Sequence, residues 1–172
     1  MVEIIIKTME KKLSKTIFFA TVLFIASLCC YSCTERNVIY NESHSFVNSE
    51  WSMYDKADFT VNVSDTSNFY RIGILVRNEG NYQYQNLWLF VDCLTPDSII
   101  HTDTVQYLLC DDFGKWIGKS SIGSLYTTTY LYQDSVKFNQ PGRYTYSITH
   151  AMRHDLLYGI ADVGVKVVSL SE

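Results

Sequence analysis

The feature that most restricts what this chain can become is a two-residue alternation of apolar and polar or small side chains. Phe59, Val61 and Val63 are separated by Thr60 and Asn62, Ile72, Ile74 and Val76 by Gly73 and Leu75, and Tyr144, Tyr146 and Ile148 by Thr145 and Ser147. Successive side chains of a strand point to opposite faces, so the pattern describes strands with one face against a core. A further run, Leu87–Leu94, is nearly continuous in apolar residues and reads as a core strand, covered on both faces or lying central in a sandwich. Thr95-Pro96-Asp97-Ser98 supplies turn chemistry between it and a strand from Ile99 to about Leu109. Later strands are predicted at Leu125–Tyr132, Ser135–Phe138 and Val163–Ser169, with one short helical piece from His150 to Tyr158. About eight short strands with almost no helix predict an all-β chain, an antiparallel β-sandwich of the jelly-roll or immunoglobulin-like kind after an N-terminal signal helix.

The N-terminus has the plan of an export signal. Lys7, Lys11, Lys12 and Lys15 precede an apolar run of 14 residues from Ile17 to Cys30, and a complete signal start already begins at Met9. A membrane-spanning helix needs about 20 apolar residues, so the run is sized as a signal core and not as a permanent span. Ala26-Ser27-Leu28-Cys29-Cys30-Tyr31-Ser32-Cys33 resembles the lipobox cleaved by bacterial lipoprotein signal peptidase. Cys33 follows small Ser32 and is the expected acylation site, although Cys30 stands where that pattern usually has leucine. The expected organisation is a signal peptide over residues 1–32, the lipidated cysteine and a polar tether over 33–50, and the sandwich over 51–172. An early edge strand is expected within the tether at Val38-Ile39-Tyr40.

Hydrophobic residues make up 47% of the chain and charged ones 19%, a balance that favours a packed globule. Without residues 1–32 the chain keeps 10 Lys and Arg against 16 Asp and Glu, a net charge of −6. Its bases are scattered singly, which argues against nucleic acid as a partner. Cys93 and Cys110 would face an oxidising compartment at the ends of apolar runs, either as a disulfide or as small buried hydrophobes.

Tests for chemistry return little. Gly114-Lys115-Trp116-Ile117-Gly118-Lys119-Ser120 has three residues between its glycines where a phosphate-wrapping loop needs four, and reads as a strand connection anchored by Trp116. His150 and His154 would share a face of a helix, yet no third metal ligand accompanies them, and surface or capping roles are expected of both. Asp111-Asp112 reads as a solvated turn, and no pair of carboxylates is singled out for acid–base work. No metal, cofactor or catalytic residue is expected.

The residues also resemble a known family, the GldH gliding-motility lipoproteins of the Bacteroidetes. The resemblance runs through Trp51, Asp65-Thr66, Tyr70, Arg77-Asn78, the run from Tyr82 to Trp88, Asp103-Thr104, the run from Gly114 to Gly118, Phe138, Gly142-Arg143-Tyr144, Met152-Arg153 and the run from Leu157 to Gly164. Gln83 departs from it, where the family pattern has proline. The resemblance implies a non-enzymatic outer-membrane lipoprotein, held by its lipid anchor and serving partner proteins of the gliding apparatus linked to type IX secretion. Candidate interaction or structural residues on this reading are Trp51, Tyr82, Tyr84, Asn86, Trp88, Trp116 and Arg153. The alternative is a glycan- or peptide-binding envelope lipoprotein, with tyrosines and Trp88 or Trp116 stacking on sugar rings. Thr34-Glu35-Arg36-Asn37-Val38 after Cys33 lacks the acidic cluster of surface-exported lipoproteins, so the expected location is the periplasmic face of the outer membrane.

Overall fold

A computed structural model of the chain describes residues 37–120 and 123–171. The expected signal peptide, its helix and Cys33 lie outside them. The described residues form β1 (Val38–Ser45), a 3-10 turn (Val47–Ser49), β2 (Glu50–Ser52), β3 (Ala57–Val63), β4 (Tyr70–Glu79), β5 (Asn86–Leu94), β6 (Ile100–Leu108), β7 (Lys119–Ser120), β8 (Leu125–Val136), β9 (Gly142–His150), β10 (Leu156–Tyr158) and β11 (Ile160–Ser169).

All strand pairings are antiparallel, and they nest. β1 pairs with β11, β2 with β10, β3 with β9, β4 with β8 and β5 with β6. The chain thus pairs with itself as one long hairpin whose tip is the turn after β5, closed by Thr95 N–H donating to Ile99 O at 2.9 Å. Two further pairings, β11 with β4 and β9 with β5, sort the nested pairs into two sheets. One sheet has the order β1-β11-β4-β8-β7 and the other β3-β9-β5-β6, with β2 and β10 forming a separate ribbon.

Alternation then builds the core between the two larger sheets. Ile72, Ile74, Val76, Val163, Val165 and Val167 come from the five-stranded sheet; Phe59, Val61, Leu87, Leu89, Val91, Tyr146 and Ile148 come from the four-stranded one, and all are buried in one cluster. The architecture is all-β, with antiparallel sheets packed face to face. Gly142, at φ +147, begins β9 where any Cβ would lie 2.8 Å from Pro96, so glycine lets the hairpin tip close against the next sheet entry.

Four sequence expectations change. Residues 38–50 are not a free tether, because β1 pairs with β11 over its length and Trp51 enters the fold from β2. β5 lies inside its sheet, between β9 and β6, but is not covered on both faces: Leu87, Leu89 and Val91 are buried while Trp88 and Phe90 are 38% and 44% exposed. The two strands expected at Leu125–Tyr132 and Ser135–Phe138 are one 12-residue strand, β8, in which register irregularities opposite Ile72 replace the expected break. The helix expected from His150 to Tyr158 does not form; His150 ends β9 opposite Leu89 and Leu156–Tyr158 pairs with β2. Nine residues offer a helix too few internal hydrogen bonds to outweigh its nucleation cost, and strand partners were at hand on both sides.

The disulfide reading of Cys93 and Cys110 is also not realised, since both are free. Cys93 sits opposite His101 in the β5–β6 register. Cys110 lies nine residues further along the chain, about 30 Å away at the rise of an extended strand and far beyond the reach of an S–S bond.

Candidate functional site

The connection from β4 to β5 supplies one wall of a groove. Tyr82 is buried and its hydroxyl donates to Asn86 O at 2.9 Å, which fixes the entry into β5. Gly159, at φ +87, packs so closely there that a Cβ would meet Tyr82 Cα at 2.9 Å. Tyr82 in turn meets Tyr84 edge-on at 5.6 Å, and Tyr84 stacks on His154 at 5.9 Å.

The bend after β9 supplies the other wall. Ala151 N–H donates to Trp88 O at 2.8 Å, and the Trp88 N–H meets Met152 Sδ at 3.4 Å. These ties lay Ala151–His154 against the outward side of β5. Between the walls is an open groove of about 480 Å³ lined by Tyr84, Asn86, Trp88, Ala151, Met152, Arg153 and His154.

Four of the seven sequence candidates meet here: Tyr84, Asn86, Trp88 and Arg153. The groove offers two aromatic rings, a primary amide, a thioether and two bases, with no carboxylate in its lining. Arg153 makes no ion pair among the described residues, so its guanidinium remains available to an incoming acidic group. Phe90 and Leu94, 44% and 40% exposed, extend the apolar outer face along the same strand.

The other three candidates support the fold. Tyr82 lies beneath the groove as described. Trp51 is fully buried, stacks on Phe46 at 4.5 Å, meets the His150 ring edge-on at 5.3 Å and donates its indole N–H to Asp55 O at 2.9 Å. Trp116 is half-buried against Tyr126 and Tyr82, at 5.8 and 6.4 Å, and bridges to Cys110 across its loop. That loop turns on the Asp111 carboxylate, which accepts the N–H groups of Phe113 and Lys115 at 3.0 and 2.9 Å.

Sequence reading gave His150 and His154 surface or capping roles, which His154 fits and His150 does not, and it missed Phe90 as a surface residue. His150 is 2% exposed and neither ring nitrogen makes a hydrogen bond. Burial pushes its imidazole below 6.5, and a marginal approach to the Trp51 backbone offsets this only in part. Alternation continued from Tyr146 and Ile148 would have placed His150 inside.

A second cavity of about 240 Å³ opens between the sheets beside β6 and β8, with Cys93, Asp103, Tyr132, Tyr144 and Tyr146 among its lining residues. The Tyr132 hydroxyl donates to the Asp103 carboxylate, and burial pushes the pKa values of Tyr132 and Tyr146 up, so both stay neutral hydroxyls. Among the described residues no cluster of His, Cys, Asp or Glu is arranged to hold a metal ion.

Other residues of the pattern stabilise turns and strands. Asp65 accepts the Ser67 hydroxyl at 2.6 Å and the Ser67 N–H at 2.8 Å, which hold its carboxyl below the ordinary carboxylate range; it also accepts the Asn68 amide at 2.7 Å, and Tyr70 donates to Asp65 O at 2.6 Å. Arg77 pairs with the buried Asp162 at 3.1 Å.

Residues 38–167 match the GldH lipoprotein family. The chain is 29% identical over 156 residues to a gliding motility lipoprotein GldH homolog of Christiangramia forsetii, covering 87% of this chain and 94% of that one. It is 28% identical over 153 residues to the gliding motility lipoprotein GldH of Flavobacterium johnsoniae, covering 85% and 93% of the two chains. A solved structure of infectious bursal disease virus, Gx strain, aligns with 78% of this chain and 33% of its own at 8% identity and a TM-score of 0.30, too low to bear on the fold. With the family match spanning both sheets and the groove between β5 and the bend after β9, this chain belongs to the GldH lipoprotein family.

Proposed function

We propose that this chain is a non-catalytic outer-membrane lipoprotein, acylated at Cys33 and facing the periplasm, that serves the envelope machinery of gliding motility and the type IX secretion linked to it. The observation that carries this reading is the convergence of Tyr84, Asn86, Trp88 and Arg153 from two separate segments on one open groove. Such a surface suits the docking of a partner protein: aromatic rings supply area at low entropic cost, and a guanidinium with no ion pair among the described residues supplies orientation. The strand order, with nested pairs shared between two sheets, favours the jelly-roll arrangement over the immunoglobulin-like one as the rigid base of that surface.

A photo-crosslinking residue in place of Trp88, used in intact cells, tests the reading. The expected result is a crosslink to a component of the gliding or secretion machinery, lost in Arg153→Glu together with colony spreading or cargo secretion at unchanged protein level. Normal spreading and secretion in Arg153→Glu and Trp88→Ala cells would overturn it.

The tyrosines lining the second cavity favour one further reading, a glycan-binding envelope lipoprotein. Saccharide titrations read by tyrosine and tryptophan fluorescence separate the two; saturable binding abolished by Tyr132→Ala would support the glycan reading.

A further inference from the structure

Each of the two large sheets ends in two free edges, and three of the four are blunted. β1 has a register irregularity between Val38 and Tyr40 and carries Glu42 and His44. The edge of β3 lies alongside β1 and carries Asp58. β7 is two residues long, presents Lys119 and covers only Tyr126 and Thr127 of β8, whose remaining edge is broken by register irregularities opposite Ile72. β6 differs. It runs nine residues in unbroken register with β5, contains no proline or bulge, and has a single Asp or Glu, Asp103, turned inward to Tyr132. A long, regular edge with no outward charge is one that natural proteins ordinarily protect or use.

The direction of its backbone groups follows from the ends of the β5–β6 hairpin. Leu109 N–H donates to Gln85 O at 2.8 Å and Thr95 N–H to Ile99 O at 2.9 Å, so odd-numbered residues of β6 bond inward to β5. The N–H and C=O groups of Ile100, Thr102, Thr104 and Gln106 therefore face the free edge, while Leu108 O is taken by the Tyr130 hydroxyl at 2.6 Å. Side chains of the same even-numbered residues stand on the outer face, where Ile100 and Leu108 are 63% and 52% exposed.

This strand is complementary to itself. Antiparallel pairing about a two-fold axis at Thr104 sets Ile100 opposite Leu108, Thr102 opposite Gln106 and Thr104 opposite its own copy, with every outward-facing N–H and C=O in phase. On the inner face His101 meets Tyr107 and Asp103 meets Val105, so no like charges stand directly opposite each other. Sliding one copy of β6 by a single residue against the other would set outward-facing groups opposite inward-bonded ones and lose the hydrogen bonds.

We propose that a second copy of this chain occupies the β6 edge, pairing β6 with β6 about Thr104 to make one eight-stranded sheet across two molecules. The arrangement is isologous and closed, so it stops at a dimer. It also joins the outer faces of two copies, and with them Phe90 of each, which lies beside Thr104 in the β5–β6 register. The inference does not depend on the groove or on the envelope role proposed above.

The full mature lipoprotein, purified in detergent, tests it by sedimentation and by cysteine pairing. Hydrogen-bonded antiparallel partners have Cα atoms about 5.5 Å apart, within disulfide range. Mild oxidation should link Thr104→Cys to itself. Thr102→Cys should link poorly to itself and well when mixed with Gln106→Cys. The wild type should sediment as a dimer, and Thr104→Lys, which sets two ammonium groups opposite each other at an exposed site where folding is undisturbed, should weaken dimerisation at least about tenfold. A monomeric wild type at high micromolar concentration would overturn the proposal. So would a dimer indifferent to Thr104→Lys, or Thr104→Cys captured in intact cells by a different protein and not by its own copy.

Discussion

On the outer face of the five-stranded sheet, Arg71 pairs with Asp134 at 2.8 Å and Arg77 with Asp162 at 3.1 Å, while Ser45 also donates to Asp162. On the outer face of the four-stranded sheet the same pleat presents Trp88, Phe90 and Leu94 along β5 and Ile100 and Leu108 along β6. The one ion pair beside it among the described residues, Lys56 with Asp92, is loose at 3.7 Å. Both faces alternate with the same buried core, so burial of the inner face does not decide how the outer face ends. Residue type at the outward positions does: one face satisfies its own charges, and the other leaves apolar area for a partner.

The sharpest way to break this contrast uses two tryptophans. Trp51→Ala empties a fully buried site and should cost about 3–5 kcal/mol in urea unfolding. Trp88→Ala, on the open face, should cost about 1–1.5 kcal/mol because part of the ring is already in water. Equal costs would mean that the groove is core and not surface.

Arg77→Ala tests the closed face. It removes the guanidinium from a buried carboxylate that keeps only Ser45, and should cost about 1.5–3 kcal/mol by chemical denaturation. Arg71→Ala, in a pair more than two-fifths exposed on each side, should cost less than about 1 kcal/mol. If both changes are neutral, the closed face owes its finish to something other than these pairs.

The pH dependence of stability probes the boundary between the core and the groove. His150 has a pKa lowered in the folded state from 6.5, mainly by burial, so the unfolded chain binds the proton more readily. Its contribution is intact above about pH 6.5 and is lost as pH falls below that value toward the folded pKa, with a slope of at most about 1.4 kcal/mol per pH unit. His150→Phe should flatten the change in urea midpoint between pH 7.5 and 5.5. An unchanged slope would assign the acid sensitivity to other groups.

The smallest expected effect belongs to Phe90→Thr. Threonine is a good strand residue, so stability should move by less than about 1 kcal/mol, while binding of a hydrophobic dye to the folded protein should fall. A large loss of stability would show that Phe90 is held by its own sheet.

Much of this was legible in the residues. Alternation at Phe59–Val63, Ile72–Val76 and Tyr144–Ile148 gave strands and their buried faces, because a period of two leaves one geometry that buries every apolar residue on one side. The Thr95–Ser98 turn was readable for the same local reason. The errors fell where local pattern is degenerate. Leu87–Leu94 reads as a core strand, which its place inside the sheet bears out, but a continuous apolar run does not say whether its second face meets protein or water. His150–Tyr158 fits a helix by composition, and β2 and β5, distant in sequence, draw its ends into strands.

The amino-acid sequence alone determined the all-β class, the buried alternating positions and the family resemblance, since these rest on short-range periodicity and on ordered motifs. Only the tertiary structure decided that Tyr84, Asn86, Trp88 and Arg153 share a groove while Trp51 and Trp116 do not, that Cys93 and Cys110 stand far apart, and that β6 is an open edge. Those are facts about nested pairing over long separations, where each strand's partner is fixed by the closure of the whole sandwich and not by the residues beside it.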